Sequence, residues 1–330
     1  MAKPSRDSIA MGEKKRLWIT RRLSDKTLER AQQYYDCEIN FEDRVYSQDE
    51  LIGRSAQFDA ILPCHSEIFR GDVVEKLDPR VRIIANHSVG TDHCDIAGLK
   101  ARGITVTNTP DVLSDATAEL AFLLMLGAAR RAVEGDSMVR DGKWDFWSPA
   151  FMVGKQVSGA RIGIVGMGRV GQIMAKRARG FDMEVHYFNR RRLPKELEKD
   201  ATYHASLESL LPICDFLSLH CPATSETVGF MNEGRFAQLP DGAVFVNSAR
   251  GSLVDEAALL SSIESGKLSA AGLDCFVTEP GGNPLFSKHQ NIFMTPHIGS
   301  ATTQTRDAMG FRALDNIDAF FAGQRPVDLL

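Results

Sequence analysis

The chain has 330 residues, 43% of them hydrophobic and 25% charged, with a formal net charge of −4. This is the composition of a globular protein long enough for two domains, and its slightly acidic balance argues against nucleic-acid binding as its main task. No apolar run reaches the roughly 20 residues of a membrane span, and the polar stretch from Met1 to Lys15 lacks the apolar centre of a secretion signal.

The first ten residues are expected to be disordered, and Met11 could serve as an alternative start. From there to residue 110, short apolar runs alternate with amphipathic segments, the pattern of a parallel sheet. Strands are predicted at Leu17–Thr20, Phe58–Leu62, Val81–Asn86 and Ile104–Thr107. Ser24 should N-cap a helix running through Ala31 and Tyr34. Pro110-Asp111 breaks the pattern. Ala116 to Ala132 follows as a helix so apolar that it must be buried on most sides, within one subunit or partly against a second. Asp141 to Gly154 is irregular and rich in Trp and Phe. On a monomer surface it would be an unusual apolar patch, which points to packing on a partner.

From Gly159 a second α/β unit begins. Strands are predicted at Arg161–Val165, Met183–Phe188, Phe216–Leu219, Ala243–Val246, Ala270–Asp274 and Ile292–Thr295. Helices are predicted at Arg169–Arg179, Leu207–Leu211 and Glu256–Ser265. A last helix, Thr302–Phe321, would have to cross back to the N-terminal domain. The six cysteines form no CxxC pair, which reads as reduced thiols in the cytosol, and no metal-ligand spacing is present.

Gly166-Met167-Gly168-Arg169-Val170-Gly171 lies between a predicted strand and a predicted helix, the context that gives a GxGxxG motif its meaning. Gly166 permits the tight turn, Gly168 lets backbone approach a pyrophosphate, and Gly171 allows close helix–strand packing. The amides of Arg169 and Val170 head a helix, a natural phosphate site. The next strand ends in Tyr187-Phe188-Asn189-Arg190-Arg191-Arg192. No carboxylate stands there to repel a ribose 2′-phosphate, and guanidinium forks suit one. The expectation is a preference for NADP(H), with NAD(H) still usable; the bland reading is a solvated basic loop.

Downstream come Asn247-Ser248-Ala249-Arg250-Gly251, Glu279-Pro280 and Pro296-His297-Ile298-Gly299, each at the end of a predicted strand. An arginine to anchor a carboxylate, an imidazole to move a proton and an acid to tune it are what hydride transfer to a 2-oxo acid requires.

With Val89-Gly90-Thr91-Asp92, Ala116-Thr117-Ala118-Glu119, His220-Cys221-Pro222, Asn247 to Glu256, Gly272-Leu273-Asp274 and Thr295 to Ser300, these motifs resemble the D-isomer-specific 2-hydroxyacid dehydrogenase family. Within it, the chain is most similar to the glyoxylate/hydroxypyruvate reductase branch. The resemblance covers nearly the whole chain from Leu17 on. It implies two doubly wound parallel-sheet α/β domains. Residues 1–110 and 298–330 would form a flavodoxin-like substrate domain, and 111–297 a Rossmann dinucleotide domain with a dimerisation helix and arm at 116–154. It implies that Arg250 binds the substrate carboxylate, that His297 donates the proton, and that Glu279 orients His297 and favours its protonated form. The Val89 and Gly90 amides would meet the carboxylate. Thr117, Cys221, Pro222, Ser248, Asp274 and Gly299 would line the cofactor, Asp274 at the nicotinamide carboxamide. Trp147 would reach a neighbouring subunit's site in a homodimer, or else serve only as a dimer-core residue. The partner implied is a small 2-oxo or 2-hydroxy acid, in a cytoplasmic enzyme. Cys275, and His93 with Cys94, depart from the commoner residues. A reductase of a larger acid such as 2-ketogluconate, or a non-catalytic dinucleotide-sensing corepressor, are the alternatives.

Overall fold

A computed structural model describes residues 14–330; the expectations for Met11 and the first ten residues lie outside it. The chain forms two compact units, one ending at Leu113 and resuming over Ala301–Leu330, the other Ser114–Ser300.

The first unit runs β1 (Arg16–Ile19), α1 (Asp25–Tyr34), β2 (Asp36–Ile39), α2 (Gln48–Ser55), β3 (Ala60–Leu62), α3 (Asp72–Lys76), β4 (Ile83–Ala85), α4 (Ile96–Ala101) and β5 (Thr105–Thr107). The five strands pair in parallel, in the order β2-β1-β3-β4-β5, the flavodoxin-like winding. Its inner strands are buried on both faces, so they read as unbroken apolar runs such as Leu17-Trp18-Ile19 and Ala60-Ile61-Leu62. The edge strand β2 (DCEI) carries charge and is only partly buried, and so it had no apolar signature to predict it. Ser24 does sit at the N-cap of α1, but its hydroxyl bonds Thr27 Oγ1 at 2.9 Å and caps no backbone amide. A nearby side chain captures the group first.

The second unit runs α5 (Ser114–Ala129), α6 (Ala132–Arg140), β6 (Arg161–Val165), α7 (Arg169–Arg179), β7 (Glu184–Phe188), α8 (Lys195–Glu198), β8 (Thr202–His204), α9 (Leu207–Leu210), β9 (Phe216–Leu219), α10 (Glu233–Gln238), β10 (Ala243–Asn247), α11 (Glu256–Glu264), β11 (Leu268–Leu273) and β12 (Ile292–Met294). Its seven parallel strands are ordered β12-β11-β10-β9-β6-β7-β8, a Rossmann winding. The order reverses between β6 and β9, and ligands of such sheets bind outside the strand ends at that switch. The apolar α5 packs on α7 and across β10, β11 and β12, which buries most of it within this unit; Leu123 stays half exposed. The segment 141–154 has no helix or strand. Its Trp144, Phe146, Trp147 and Val153 are all more than half exposed, Trp147 at 73%.

The final helix, α12 (Thr303–Phe321), is part of the first unit, where it packs on β4 and α1. Ala313, Leu314 and Ile317 are buried with Leu17, Ile19, Leu62 and Ile83. Among the described residues no helix is long and apolar enough to cross a membrane, and all six cysteines are free thiols.

Candidate active site

The glycine turn joins β6 to α7 at the switch point of the second unit. Gly166 has φ +96°, and a Cβ there would stand 2.6 Å from the Cys221 amide nitrogen, so the turn and the close approach of the Cys221 backbone both require glycine. A Cβ on Gly171 would strike the Gly166 carbonyl oxygen, whereas one on Gly168 would meet nothing within 4 Å. The first pair is therefore structural, and Gly168 fronts open space as a pyrophosphate would need. Arg169 and Val170 form the first turn of α7. Cys221 is half-buried, and burial pushes its thiol up to about 11, so it stays neutral. Ser248 is buried, and its Oγ has no hydrogen-bond partner among the described residues, which suits a hydroxyl that contacts a bound cofactor.

β7 runs beside β6, and the Gly166 amide donates to Phe188 O at 3.0 Å, so the end of β7, which leads into Asn189, lies beside the start of the glycine turn. Asn189 Nδ2 donates to Arg191 O at 3.2 Å, and Arg190 and Arg191 are exposed. Arg192 is different. It holds the buried Glu198 with Nη2–Oε2 at 2.8 Å and Nε–Oε1 at 2.9 Å, and its guanidinium lies 5.7 Å from the Tyr203 ring centroid. The basic run thus offers two arginines to a ligand and commits the third to α8, a division that charge alone did not reveal.

Arg250, Glu279 and His297 follow the C-terminal ends of β10, β11 and β12, three neighbouring parallel strands. Arg250 leads out of a turn held by Asn247, whose Nδ2 donates to Arg250 O at 2.8 Å and whose Oδ1 accepts from Ala249 N at 3.0 Å. A Cβ on Gly251 would overlap the Phe276 backbone, so this turn presses directly on the segment bearing Glu279. That segment is tied by Glu256, which accepts from Val277 N at 2.8 Å and Asn283 Nδ2 at 3.0 Å. Glu279 divides its oxygens: Oε1 accepts from Phe276 N at 2.7 Å, and Oε2 lies 2.5 Å from His297 Nδ1.

His297 has φ +53°, left-handed and uncommon for a side-chain-bearing residue. The buried carboxylate of Asp274 holds the turn in that shape. It accepts from Thr295 Oγ1 at 2.6 Å, Ile298 N at 2.8 Å and Gly299 N at 2.8 Å. Burial pushes its carboxyl above the ordinary value, against those donors. Thr117 is close by, its Cγ2 3.5 Å from where a Gly299 Cβ would be. Thr117, Asp274 and Gly299 are therefore together. The ties made by Asn247, Glu256 and Asp274 were not legible in the motifs, which show only that polar residues follow strands.

In the first unit, Val89 and Gly90 lie in the loop after β4. His93 and Cys94, the departures from the commoner residues, close this loop on itself: His93 Nε2 lies 2.8 Å from Asn86 Oδ1, and Cys94 Sγ donates to the same oxygen at 3.5 Å. Trp147 belongs to the exposed arm of the second unit.

A Rossmann sheet with a glycine turn at its switch point, and Arg, Glu and His on three adjoining strand ends, defines a dinucleotide-dependent oxidoreductase. Residues 122–299 match the family model for D-isomer specific 2-hydroxyacid dehydrogenase, NAD binding domain. The chain is 42% identical over 312 residues to glycerate dehydrogenase of Hyphomicrobium methylovorum, covering 94% of this chain and 97% of that one. It is 37% identical over 321 residues to glyoxylate reductase of Thermococcus litoralis, covering 96% and 97%. A solved structure of a putative D-isomer specific 2-hydroxyacid dehydrogenase from Polaromonas sp. superposes with TM-score 0.92 at 42% identity, covering 96% of this chain and 100% of that one. The chain belongs to the D-isomer-specific 2-hydroxyacid dehydrogenase family. It is an enzyme of that class, and its cofactor is a nicotinamide dinucleotide.

Proposed function

We propose that the chain reduces small 2-oxo acids, glyoxylate and hydroxypyruvate, to D-2-hydroxy acids with NADPH. The observation that carries this reading is the 2.5 Å contact between Glu279 Oε2 and His297 Nδ1, at strand ends adjoining the one that bears Arg250. Arg250 sets its planar fork on the substrate carboxylate and polarises the C2 carbonyl. The Val89–Gly90 amides of the first unit are donors for a substrate carboxylate. The reduced nicotinamide, when bound, supplies the hydride. Glu279 fixes the His297 tautomer through Nδ1, so that Nε2 is the nitrogen that gives its proton to the oxygen developing charge, and takes it back in oxidation. The turn from Gly166 to Gly171, with the Arg169 and Val170 amides, holds the pyrophosphate. Thr117, Cys221, Pro222, Ser248, Asp274 and Gly299 line the rest of the cofactor.

Asn189, Arg190 and Arg191 favour NADPH because they bring donors and positive charge, and no carboxylate, to the place of a ribose 2′-phosphate. A second copy of the chain covers the exposed arm from Asp141 to Gly154, making a homodimer in which Trp147 restricts the pocket to small acids. The enzyme is cytoplasmic. The names of the two curated relatives agree with the substrate class, since oxidation of D-glycerate and reduction of hydroxypyruvate are one reaction run in two directions.

The test follows loss of NADPH absorbance with glyoxylate, hydroxypyruvate, pyruvate and 2-ketogluconate, with NADH in parallel. Fast turnover of the first two with NADPH is expected. Turnover of 2-ketogluconate alone would overturn the small-acid assignment. Tight NADPH binding without turnover of any would overturn the reductase reading in favour of sensing.

A further inference from the structure

We infer that Asn108 is a positioning residue that aims the Val89–Gly90 peptide so that successive backbone amides form a cradle for the substrate carboxylate. This rests on the reading above that the loop binds that group.

Three consecutive carbonyls of the loop are tied. Ser88 O accepts from Thr109 N at 2.9 Å, Val89 O from Asn108 Nδ2 at 2.9 Å, and Gly90 O from Ser88 Oγ at 2.8 Å. In a trans peptide the N–H points opposite to the C=O of the same plane, and the one cis bond among the described residues lies elsewhere, at Glu279-Pro280. The first two carbonyls both turn to the single segment Asn108-Thr109. The amides that share their planes, those of Val89 and Gly90, are therefore both turned away from that segment. Ser88 Oγ fixes the plane that carries the Thr91 amide in the same manner. Successive amides held on one side of a loop form an anion-binding concavity.

Thr109 contributes through its backbone, so side-chain replacement leaves its bond in place. The Gly90 amide depends on a side chain, Asn108. Asn108 is itself well fixed. It is 9% exposed and directly follows β5, and its carbonyl accepts from Asn316 Nδ2 of α12 at 3.4 Å. Val89 is 37% exposed, so without this bond water would take the carbonyl and the peptide plane could rotate. The fold would lose little, and the donor would lose its aim.

The experiment compares wild type with Asn108→Ala and Asn108→Asp, the second close to isosteric but unable to donate at neutral pH. Steady-state kinetics with glyoxylate, NADPH affinity and melting temperature are measured, with Arg250→Ala as control. Loss of one aimed hydrogen bond to a charged group should raise KM for glyoxylate about tenfold in Asn108→Ala, and at least as much in Asn108→Asp. Because the carboxylate is held equally before and during reaction, kcat should stay within about threefold, and NADPH affinity should not move. If Arg250→Ala weakens glyoxylate use while both Asn108 variants keep a wild-type KM, the inference is overturned and the substrate reading stands. If kcat and melting temperature fall with KM unchanged, Asn108 is merely structural and the inference is again overturned. If neither Arg250→Ala nor the Asn108 variants alter glyoxylate kinetics, the substrate reading itself has failed and takes the inference with it.

Discussion

Replacing Asp274 by Asn separates holding the fold from holding the site. The buried carboxylate accepts three hydrogen bonds, from Thr295 Oγ1 at 2.6 Å and Ile298 N at 2.8 Å on Oδ1, and from Gly299 N at 2.8 Å on Oδ2. An amide of the same shape has one accepting oxygen. Placed on the Oδ1 side, it keeps Thr295 and Ile298 and turns its NH2 on the Gly299 amide. That choice loses one hydrogen bond to a charged group, about 1.5–3 kcal/mol. Against this stands desolvation. Burial pushes the Asp274 carboxyl above its ordinary value, so the three donors do not fully repay the cost of burying charge, and a neutral amide escapes that cost. The two contributions have opposite signs and partly cancel. Unfolding stability near neutral pH should therefore fall by less than the roughly 1.5–3 kcal/mol of that bond. Activity should not be spared. The turn that holds His297 at φ +53° is pinned at its far end by the Gly299 amide, and with an NH2 set against that amide the turn would relax toward commoner backbone angles. A loss of about 10- to 100-fold in kcat for glyoxylate reduction is expected, the equivalent of one such bond. Urea unfolding and steady-state kinetics on one preparation give both quantities. A loss of several kcal/mol with kcat intact would refute the reasoning and make Asp274 a structural residue only.

Asn189→Asp should shift the ratio of kcat/KM for NADPH over NADH about 100-fold toward NADH, since a carboxylate near a phosphate costs a few kcal/mol at intermediate dielectric; an unmoved ratio would remove Asn189 from cofactor choice. Arg250→Ala should raise KM for glyoxylate about 100-fold or more through loss of a paired, charge-assisted contact, while NADPH affinity stays within about twofold; collapse of NADPH affinity would show that Arg250 serves the cofactor. His87 gives a pH prediction. Burial, with Arg306 nearby, holds its imidazole down at about 4, below its ordinary 6.5. The folded state therefore binds its proton less readily than the unfolded chain. The resulting stability is present above about pH 6.5 and is lost as pH falls toward about 4, with about 2 kcal/mol gone near pH 5. Urea midpoints near pH 7 and pH 5 should differ less in His87→Asn than in wild type; an equal difference would assign the acid sensitivity elsewhere.

The sequence alone determined those features that burial and backbone geometry impress on neighbouring residues. Strands such as Arg161–Val165 and Phe216–Leu219 were legible because a doubly covered parallel sheet demands continuous apolar runs. The glycine turn was legible because φ +96° at Gly166 and the close packing at Gly171 admit no other residue. The order of Arg250, Glu279 and His297 could be read because each follows such a strand. The edge strands Asp36–Ile39 and Thr202–His204 could not, since half-exposed segments carry no apolar signature. Tertiary structure alone decided where the polar side chains spend their hydrogen bonds. Ser24 turns to Thr27, Arg192 to Glu198, Asp274 to the amides beside His297, and Asn108 to the carbonyl of Val89. A polar group bonds whatever the fold brings within about 3 Å. For Asp274 and Asn108 those partners lie some twenty residues away along the chain, a proximity that arises only when the parallel strands pair.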